Sequence, residues 1–262
     1  EDSLPYFNAI CIGAAERIWP RMINDAQCGR LQKVYHDMEG FQGKEIVSPA
    51  YSGFNRSKYL YTNIVMTSRG CPNQCDFCYN SCKNHAYICR PIEDVLKDIE
   101  TLETRHILFI DDNFIGSPNY TRELLKALCG MNLKWSAAVT TKILDYPDLL
   151  DLMVETGCQS LFIGFESINA SSLKSVHKNN RTAAYDKIVD AIHSRGIMIN
   201  ASMVFGLDGD TPDVFRKTLD WLVEHKIETL TSHILTPYPG TALYKRMQSG
   251  GRIKDYDLKK YN

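Results

Sequence analysis

The stretch IMINASMVFGLDGDTPDVFRKTLDWLVEHKIETLTSHILTP (residues 197–237) contains one complete structural unit of this chain. Its two ends, residues 197–206 and 229–237, are short, apolar and rich in β-branched residues, which predicts two strands. Between them, residues 212–226 repeat apolar residues at helical spacing, and Pro212 lies where a first helical turn is expected. Two strands joined through a helix pair in parallel with a right-handed crossover. The stretch therefore predicts one strand–helix–strand unit of a parallel sheet.

The same unit repeats along the chain from residue 60. The predicted strands cover residues 60–67, 106–112, 133–140, 158–166, 197–206 and 229–237. The predicted helices cover residues 91–103, 119–129, 146–157, 182–196, 212–226 and 241–248. Six such units fall short of the eight of a complete (β/α)8 barrel. We therefore predict an α/β fold, an open (β/α)6 partial TIM barrel, with its functional groups on the loops that follow the strands.

The composition of the 262 residues is that of an ordinary globular protein: 44% are hydrophobic, 23% are charged and the net charge is −1. Interspersed charges of both signs give no basic field for nucleic acid. No apolar run approaches the roughly 18 residues of a membrane span, and the acidic opening EDSLPYFNAI is not typical of a signal peptide. Nine unevenly spaced cysteines do not fit a disulfide framework, so they predict metal binding in a reducing cytoplasm.

The first 40 residues do not fit the repeat. They contain one predicted strand (FNAICIG, residues 7–13) and one predicted helix, which cannot bury a core alone. We predict that residues 1–40 are the remnant of an upstream α/β domain. Residues 41–57, rich in Gly, Ser and Pro, are expected to be a linker. Residues 58–250 are expected to form the core domain, and residues 251–262 to begin a C-terminal extension.

The segment RGCPNQCDFCYNSCKNHAYICRP (residues 69–91) holds five of the nine cysteines. Cys71, Cys75 and Cys78 form a C-x-x-x-C-x-x-C motif directly after the first predicted strand. Soft thiolates select iron–sulfur clusters, zinc or copper, and three thiolates around a four-iron cubane leave one iron open. The alternative is a structural zinc site, whose fourth ligand would come from the residues just beyond the motif: Cys82, His85 or Cys89.

This motif, after the first strand of a (β/α)6 partial barrel and with Phe77 before the third cysteine, resembles that of the radical S-adenosylmethionine (SAM) superfamily. The resemblance covers residues 57–248. It implies that a 4Fe–4S cluster held by the three cysteines binds SAM at its open iron. It further implies that an electron from the cluster cleaves SAM to a 5′-deoxyadenosyl radical, which abstracts a hydrogen atom from the substrate. An electron donor such as flavodoxin or ferredoxin is then expected.

Other segments are similar to those of the cobalamin-binding radical SAM group: FIDDNF, FIGFESIN, MVFGLDGDT and LTPYPGTALY. In that group a flavodoxin-like domain precedes the barrel, and residues 9–35 resemble the last strand and helix of that domain. The resemblance implies C-methylation of the cobalamin-dependent type. Two alternatives remain open at this point. One is a radical oxidation, epimerisation or rearrangement without cobalamin, and the other is a non-catalytic iron–sulfur or zinc binding module.

The same resemblance predicts which strand ends contact SAM. It predicts that Asp111, Asp112 and Asn113 contact the SAM amino group. The alternative is that they are acidic residues clustered at the start of a helix. It predicts that Glu166 hydrogen-bonds to the ribose hydroxyls. The alternative is a salt bridge to a nearby lysine. Further contacts to SAM or substrate are expected from Phe77, Tyr79, Ser136, Thr140, Val204, Gly206, Leu235 and Tyr238.

The remaining cysteines and one basic loop have less specific predictions. Cys82 and Cys89 are expected to be buried thiols, a redox pair or a hydrogen donor. The loop that contains His177, Lys178 and Arg181 is expected to clamp an anionic group or to be solvated. Four more cysteines are predicted to lie in the core: Cys11, Cys28, Cys129 and Cys158. No catalytic residue and no substrate are predicted.

Overall fold

The structure is a computed structural model that describes residues 4–37, 40–50, 55–59, 61–81, 87–176, 178, 182–257 and 259. The strands are β1 (Ile10–Ile12), β2 (Val34–His36), β3 (Ile64–Val65), β4 (Ser68–Arg69), β5 (Ile88–Cys89), β6 (His106–Phe109), β7 (Lys134–Thr140), β8 (Cys158–Glu166), β9 (Met198–Phe205) and β10 (Thr229–Ile234). The α-helices are α1 (Ala15–Gln27), α2 (Ile92–Glu100), α3 (Pro118–Leu128), α4 (Pro147–Glu155), α5 (Ala170–Ser175), α6 (Tyr185–His193), α7 (Asp213–Glu224) and α8 (Ala242–Ser249).

A six-stranded sheet with the order β3-β6-β7-β8-β9-β10 forms the centre of the fold. All of its strand pairs are parallel, and spatial order follows chain order. The outer strands β3 and β10 do not pair with each other, so the sheet is open. The predicted α/β fold with an open partial barrel is therefore confirmed. The six helices predicted for the repeat and the one predicted in residues 1–40 are also present, whereas the short helix α5 was not predicted.

One face of the sheet packs against the helices and the other is open. In β7, Trp135, Ala137 and Val139 are buried, whereas the intervening residues are only half-buried. This alternation follows from the two-residue period of a strand. A cleft of about 630 Å³ lies along the open face, with Ser136, Phe162 and Asn200 among its walls. The open face therefore offers both polar and apolar side chains to a ligand, while the other face forms the core.

The N-terminal unit (residues 10–36) contains one strand more than the sequence indicated. Strands β1 and β2 pair in parallel across α1, which makes a small strand–helix–strand unit. Part of the segment predicted as a linker also packs, since Glu45 accepts hydrogen bonds from Arg17 at 2.6 Å and Ile46 is buried. The domain boundaries remain a prediction.

The four cysteines outside the motif region differ in burial. Cys158 is buried as predicted, and Cys11 is half-buried. Cys28 and Cys129 are exposed, so their predicted core position is wrong. Both follow the last residue of a helix (α1 and α3), where the chain turns toward solvent. None of the described helices has the length and hydropathy of a membrane-spanning segment.

We predict that Gly157→Ala destabilises the fold at least twice as much as Gly130→Ala. Both glycines have positive φ values, 90° and 79°, and left-handed backbone costs a non-glycine residue about 1 kcal/mol. A Cβ at position 157 would additionally lie 1.8 Å from the carbonyl oxygen of Leu133, whereas one at position 130 meets nothing within 4 Å. Urea denaturation of the two variants measures the difference. Equal losses would show that the contact with Leu133 relaxes freely.

Candidate functional site

The candidate site is built on a loop that leaves the edge strand β3. We call residues 70–81 the cysteine loop. The antiparallel pair β4–β5 closes its base, with Ser68 opposite Cys89. This ribbon was not predicted, because strands of two residues give no periodic signal. The returning chain is anchored by Arg90, a buried guanidinium that donates to Asp98 at 2.7 Å and to the carbonyl of Met66 at 2.9 Å.

Asp111 anchors the outgoing end of the loop. Its buried carboxylate accepts hydrogen bonds from the hydroxyls of Thr67 at 2.8 Å and Ser68 at 2.5 Å, and also from both backbone N–H groups. These bonds explain why the first strand ends before residue 67. Burial raises the pKa of the Asp111 carboxyl above its usual value, and the bonds from Ser68 and Thr67 oppose that rise. The carboxylate of Asp111 thus positions the loop.

Asp112 and Asn113 face the site differently. Asp112 is exposed and accepts a hydrogen bond from the backbone N–H of Gly70, next to Cys71, at 3.2 Å. Asn113 is buried, and its side-chain oxygen has no hydrogen-bond partner among the described residues. Of the three polar residues after β6, Asp111 and Asp112 therefore hold the loop, and Asn113 has an unsatisfied oxygen that a ligand could bind.

A second unsatisfied oxygen lies at the end of the neighbouring strand. The hydroxyl of Thr140, at the end of β7, is buried and has no partner within the described part of the chain. The two strand ends are tied together, because the N–H of Phe114 donates to the carbonyl of Ala138 at 2.8 Å. An unpaired buried polar group costs about 1–3 kcal/mol. The oxygens of Asn113 and Thr140 therefore fit a site that receives a polar ligand.

The three motif cysteines share the cysteine loop and are half-buried. The side-chain N–H of Asn73 donates to the sulfur of Cys71 at 3.6 Å. Burial raises the pKa values of the Cys75 and Cys78 thiols above the usual value of a cysteine. Over the described ranges, no three His, Cys, Asp or Glu side chains lie together as a metal-ligand set, so the three-sulfur site remains a prediction.

Of the three candidate fourth ligands, Cys89 is the one among the residues that the structure describes. Cys82 and His85 lie outside the described residues. Cys89 is half-buried in β5, at the base of the loop. Burial raises the pKa of its thiol, and Tyr87 and Asp111 are its polar and charged neighbours. The structure therefore places Cys89 with the anchoring residues of the ribbon.

Glu166 and Lys178 form a buried ion pair across the site. Their charged atoms are 2.8 Å apart, and each side chain is 10% exposed. Glu166 has a φ of 66°, and the pairing of β8 with β9 shifts between Gly164 and Glu166. Burial acts to lower the pKa of Lys178, but the charges of Glu166 and Cys75 outweigh it and raise the pKa above its usual value. The salt bridge considered from sequence is thus present.

Lys178 also interacts electrostatically with the cysteine loop. Its ammonium opposes the rise in the thiol pKa of both Cys75 and Cys78. It therefore connects the carboxylate at the end of β8 with the motif cysteines. The other two residues of the predicted basic loop, His177 and Arg181, lie outside the described residues.

Three of the other predicted contacts gather in one small apolar cluster. Phe77 and Leu235 pack against Val204, together with the buried Val176 and Leu207. This cluster fixes the middle of the cysteine loop against the ends of β9 and β10. The packing brings these three residues together, and their contact with a ligand stays a prediction.

The remaining predicted residues lie at a strand end, on the open face or at the surface. Gly206 has a φ of 91° and donates its N–H to the Asp210 carboxylate at 3.0 Å. The hydroxyls of Ser136 and Ser160 lie 2.9 Å apart on the open face. Tyr79 and Tyr238 are 59% and 47% exposed. Their assignment to a ligand stays a prediction.

Sequence reasoning missed Asp210, although it lies in the quoted segment MVFGLDGDT. Its carboxylate accepts the N–H groups of Gly206 and Leu207 at 3.0 Å each and the hydroxyl of Ser172 at 2.7 Å. An aspartate four residues after a strand-end glycine is typical of a side chain that closes a turn on the backbone. That local signal could have identified Asp210 as the residue that fixes this strand end.

We predict that Lys178→Met lowers the free energy of unfolding by about 3 kcal/mol, because it leaves the buried Glu166 carboxylate unpaired. The double variant Lys178→Met/Glu166→Gln should recover most of the loss. Urea denaturation at neutral pH measures both. Arg195→Met is the control, since Arg195 pairs with the exposed Asp151 and such pairs contribute less than about 1 kcal/mol. A Lys178→Met loss no larger than that of the control would contradict the prediction.

Comparison with known proteins gives relatives along nearly the whole chain. Bacteriochlorophyllide d C-12(1)-methyltransferase of Chlorobaculum tepidum is 29% identical over 97% of this chain and 58% of that protein. Hopanoid C-2 methylase of Rhodopseudomonas palustris is 28% identical over 100% of this chain and 52% of that protein. The chain thus spans little more than half the length of these two relatives.

Among solved structures, a similar fold occurs in the radical S-adenosylmethionine methyltransferase TsrM from Kitasatospora setae, with cobalamin and a [4Fe-4S] cluster bound. The TM-score is 0.65, the identity is 18%, and the match covers 72% of this chain and 37% of TsrM. At this identity the likeness shows a shared fold. Residues 65–222 match the Radical SAM superfamily. Because this segment is more than half of the chain and includes the whole cysteine loop, the chain belongs to the radical SAM superfamily.

Proposed function

We propose that the chain is the catalytic core of a radical SAM enzyme that binds a 4Fe–4S cluster through Cys71, Cys75 and Cys78. The position of these cysteines supports this proposal. They lie in one anchored loop at the carboxyl end of the sheet, and the charge of Lys178, which pairs with Glu166, acts on Cys75 and Cys78. Three sulfur donors suit an iron–sulfur cluster and leave one iron for another ligand. When bound, the cluster would supply the electron that cleaves SAM.

The chain's own residues would hold SAM across the strand ends. The unsatisfied oxygens of Asn113 and Thr140 would accept hydrogen bonds from the polar end of SAM, since an ammonium group donates only. Glu166 would accept hydrogen bonds from the ribose hydroxyls, and Lys178 pairs with the same carboxylate at 2.8 Å. Asp112, which accepts from the Gly70 N–H, would keep the loop close to this pocket.

The apolar side of the site would accommodate the adenine. Phe77, Val204 and Leu235 pack together at the ends of β9 and β10. At Gly206 an added Cβ would meet only Leu235, at 4.0 Å, so the strand end leaves space for a flat ring. Burying a ring on such apolar surface is favourable by roughly 25 cal/mol per Å². The exposed Tyr79 and Tyr238 would border this side.

We extend the proposal to C-methylation of the cobalamin-dependent type. The two relatives described above are named for methylation of bacteriochlorophyllide d and a hopanoid, and TsrM is described with cobalamin bound. The N-terminal unit, a parallel strand–helix–strand, supports a remnant of a flavodoxin-like domain. A small redox protein, such as flavodoxin or ferredoxin, would be the electron donor, and a reducing cytoplasm would keep the thiols available.

We predict that the full chain, reconstituted without oxygen, binds about four irons per chain, and that with dithionite and SAM it releases 5′-deoxyadenosine. Cys71→Ala, Cys75→Ala and Cys78→Ala should each remove the brown absorbance and the product, since two thiolates do not hold the cluster. Iron analysis and chromatography measure both. Cys28→Ala and Cys129→Ala are matched controls at exposed thiols. A wild-type chain that binds zinc and no iron would contradict the proposal.

We predict that added hydroxocobalamin shifts its visible spectrum on binding the wild-type chain, and that an acceptor substrate gains a labelled methyl group from SAM. Release of 5′-deoxyadenosine without a cobalamin shift would contradict the methylation proposal and leave radical chemistry of another kind. The control is the same chain with SAM and dithionite but without cobalamin.

A further inference from the structure

Asp76 lies within the motif, between Cys75 and Cys78, and uses all its polar groups to hold other parts of the chain. Its backbone carbonyl accepts the N–H of Leu243 at 3.0 Å, and its backbone N–H donates to the carbonyl of Val176 at 3.3 Å. Its carboxylate accepts from Arg246 at 2.5 Å. The dipeptide between two motif cysteines is therefore fixed to the loop after α5 and to α8.

Arg246 completes this junction from the other side. One guanidinium nitrogen binds Asp76, and another donates to the carbonyl of Ser175, the last residue of α5, at 3.0 Å. Arg246 is held on α8, which begins at Ala242 after the capping hydroxyl of Thr241. One side chain thus joins three segments that are far apart in sequence: the cysteine loop, α5 and α8.

Arg246 compensates the negative charge of the Asp76 carboxylate. Its side chain is only 12% exposed, and its negative charge acts on the neighbouring Cys75. An uncompensated carboxylate beside anionic sulfur ligands would disfavour a reduced, more negative cluster, since like charges repel strongly at low dielectric. Pairing with Arg246 cancels that charge at the point where the loop passes between two ligands.

We propose that Arg246 is a positioning residue of the cysteine loop, which fixes the direction of the chain between Cys75 and Cys78 and neutralises the Asp76 carboxylate. Groups that hydrogen-bond to the segments carrying metal ligands orient those ligands and tune the metal. This inference rests on the proposed function, because it concerns a cluster held by the same cysteines.

The test uses the full chain and four variants: Arg246→Ala, Arg246→Lys, Asp76→Asn and the double variant Arg246→Ala/Asp76→Asn. In the reconstituted protein, Arg246→Ala should shift the cluster's reduction potential to more negative values and lose iron to a chelator about 10-fold faster. Arg246→Lys should restore part of both. Asp76→Asn should shift the potential to more positive values. The double variant should return the potential toward wild type while iron loss stays fast, because the charge is balanced but the junction is missing.

The control is Arg252→Ala, since Arg252 follows α8 and pairs with Asp208, with both side chains about half exposed. It should change neither the potential nor the rate of iron loss. Electron paramagnetic resonance during a redox titration gives the potential. Wild-type potential and iron loss in Arg246→Ala would overturn this inference while the proposed function stands.

A wild-type chain without iron would overturn the proposed function, and the apo chain then tests the positioning role separately. Iodoacetamide should alkylate Cys75 and Cys78 faster in Arg246→Ala than in wild type or in Arg252→Ala, as read by peptide mass spectrometry. Equal rates with an unchanged melting temperature would overturn the positioning role as well.

Discussion

Parallel pairing of six strands is the constraint on which the rest of this structure depends. Because every strand of the sheet runs in the same direction, their carboxyl ends meet at one edge, and each following loop starts there. Residues from distant parts of the sequence, such as Cys71, Asn113, Thr140 and Glu166, consequently follow or end strands at the same edge. Closure of the sheet is not needed for this effect. The open face between β3 and β10 instead leaves space for a ligand along the strands.

The cysteine loop depends on anchors outside itself. Asp111 holds the turn before it, Arg90 holds the chain after it, and Arg246 holds its middle through Asp76. Each anchor is a charged group whose partners come from another element. Such groups are buried only when they are paired and hydrogen-bonded. These anchors therefore place the loop with respect to the sheet, although its own regular structure is one short 3-10 helix (Tyr79–Ser81).

The site combines satisfied and unsatisfied polar groups. Glu166 and Lys178 are partners in an ion pair, whereas the side-chain oxygens of Asn113 and Thr140 have no partner in the part of the chain that the structure describes. Among the described residues, two buried oxygens thus stay unpaired at adjacent strand ends while the charges of Glu166 and Lys178 are paired, which separates the structural role from the binding role. The apolar cluster of Phe77, Val204 and Leu235 supplies the third component, a surface on which a flat group can lie.

The sequence by itself determined the repeating unit and the location of the motif, because hydrophobic periodicity and cysteine spacing are local properties. It predicted the parallel order of the sheet and the exact bounds of β8. It did not predict α5, the β4–β5 ribbon or the strand β2, since short elements owe their existence to contacts made elsewhere. Only the tertiary structure decided that Asp111 binds Thr67 and Ser68, that Glu166 faces Lys178 and that Asp76 meets Arg246. Such pairs form between distant segments, and no local pattern encodes which partner a charged side chain will meet.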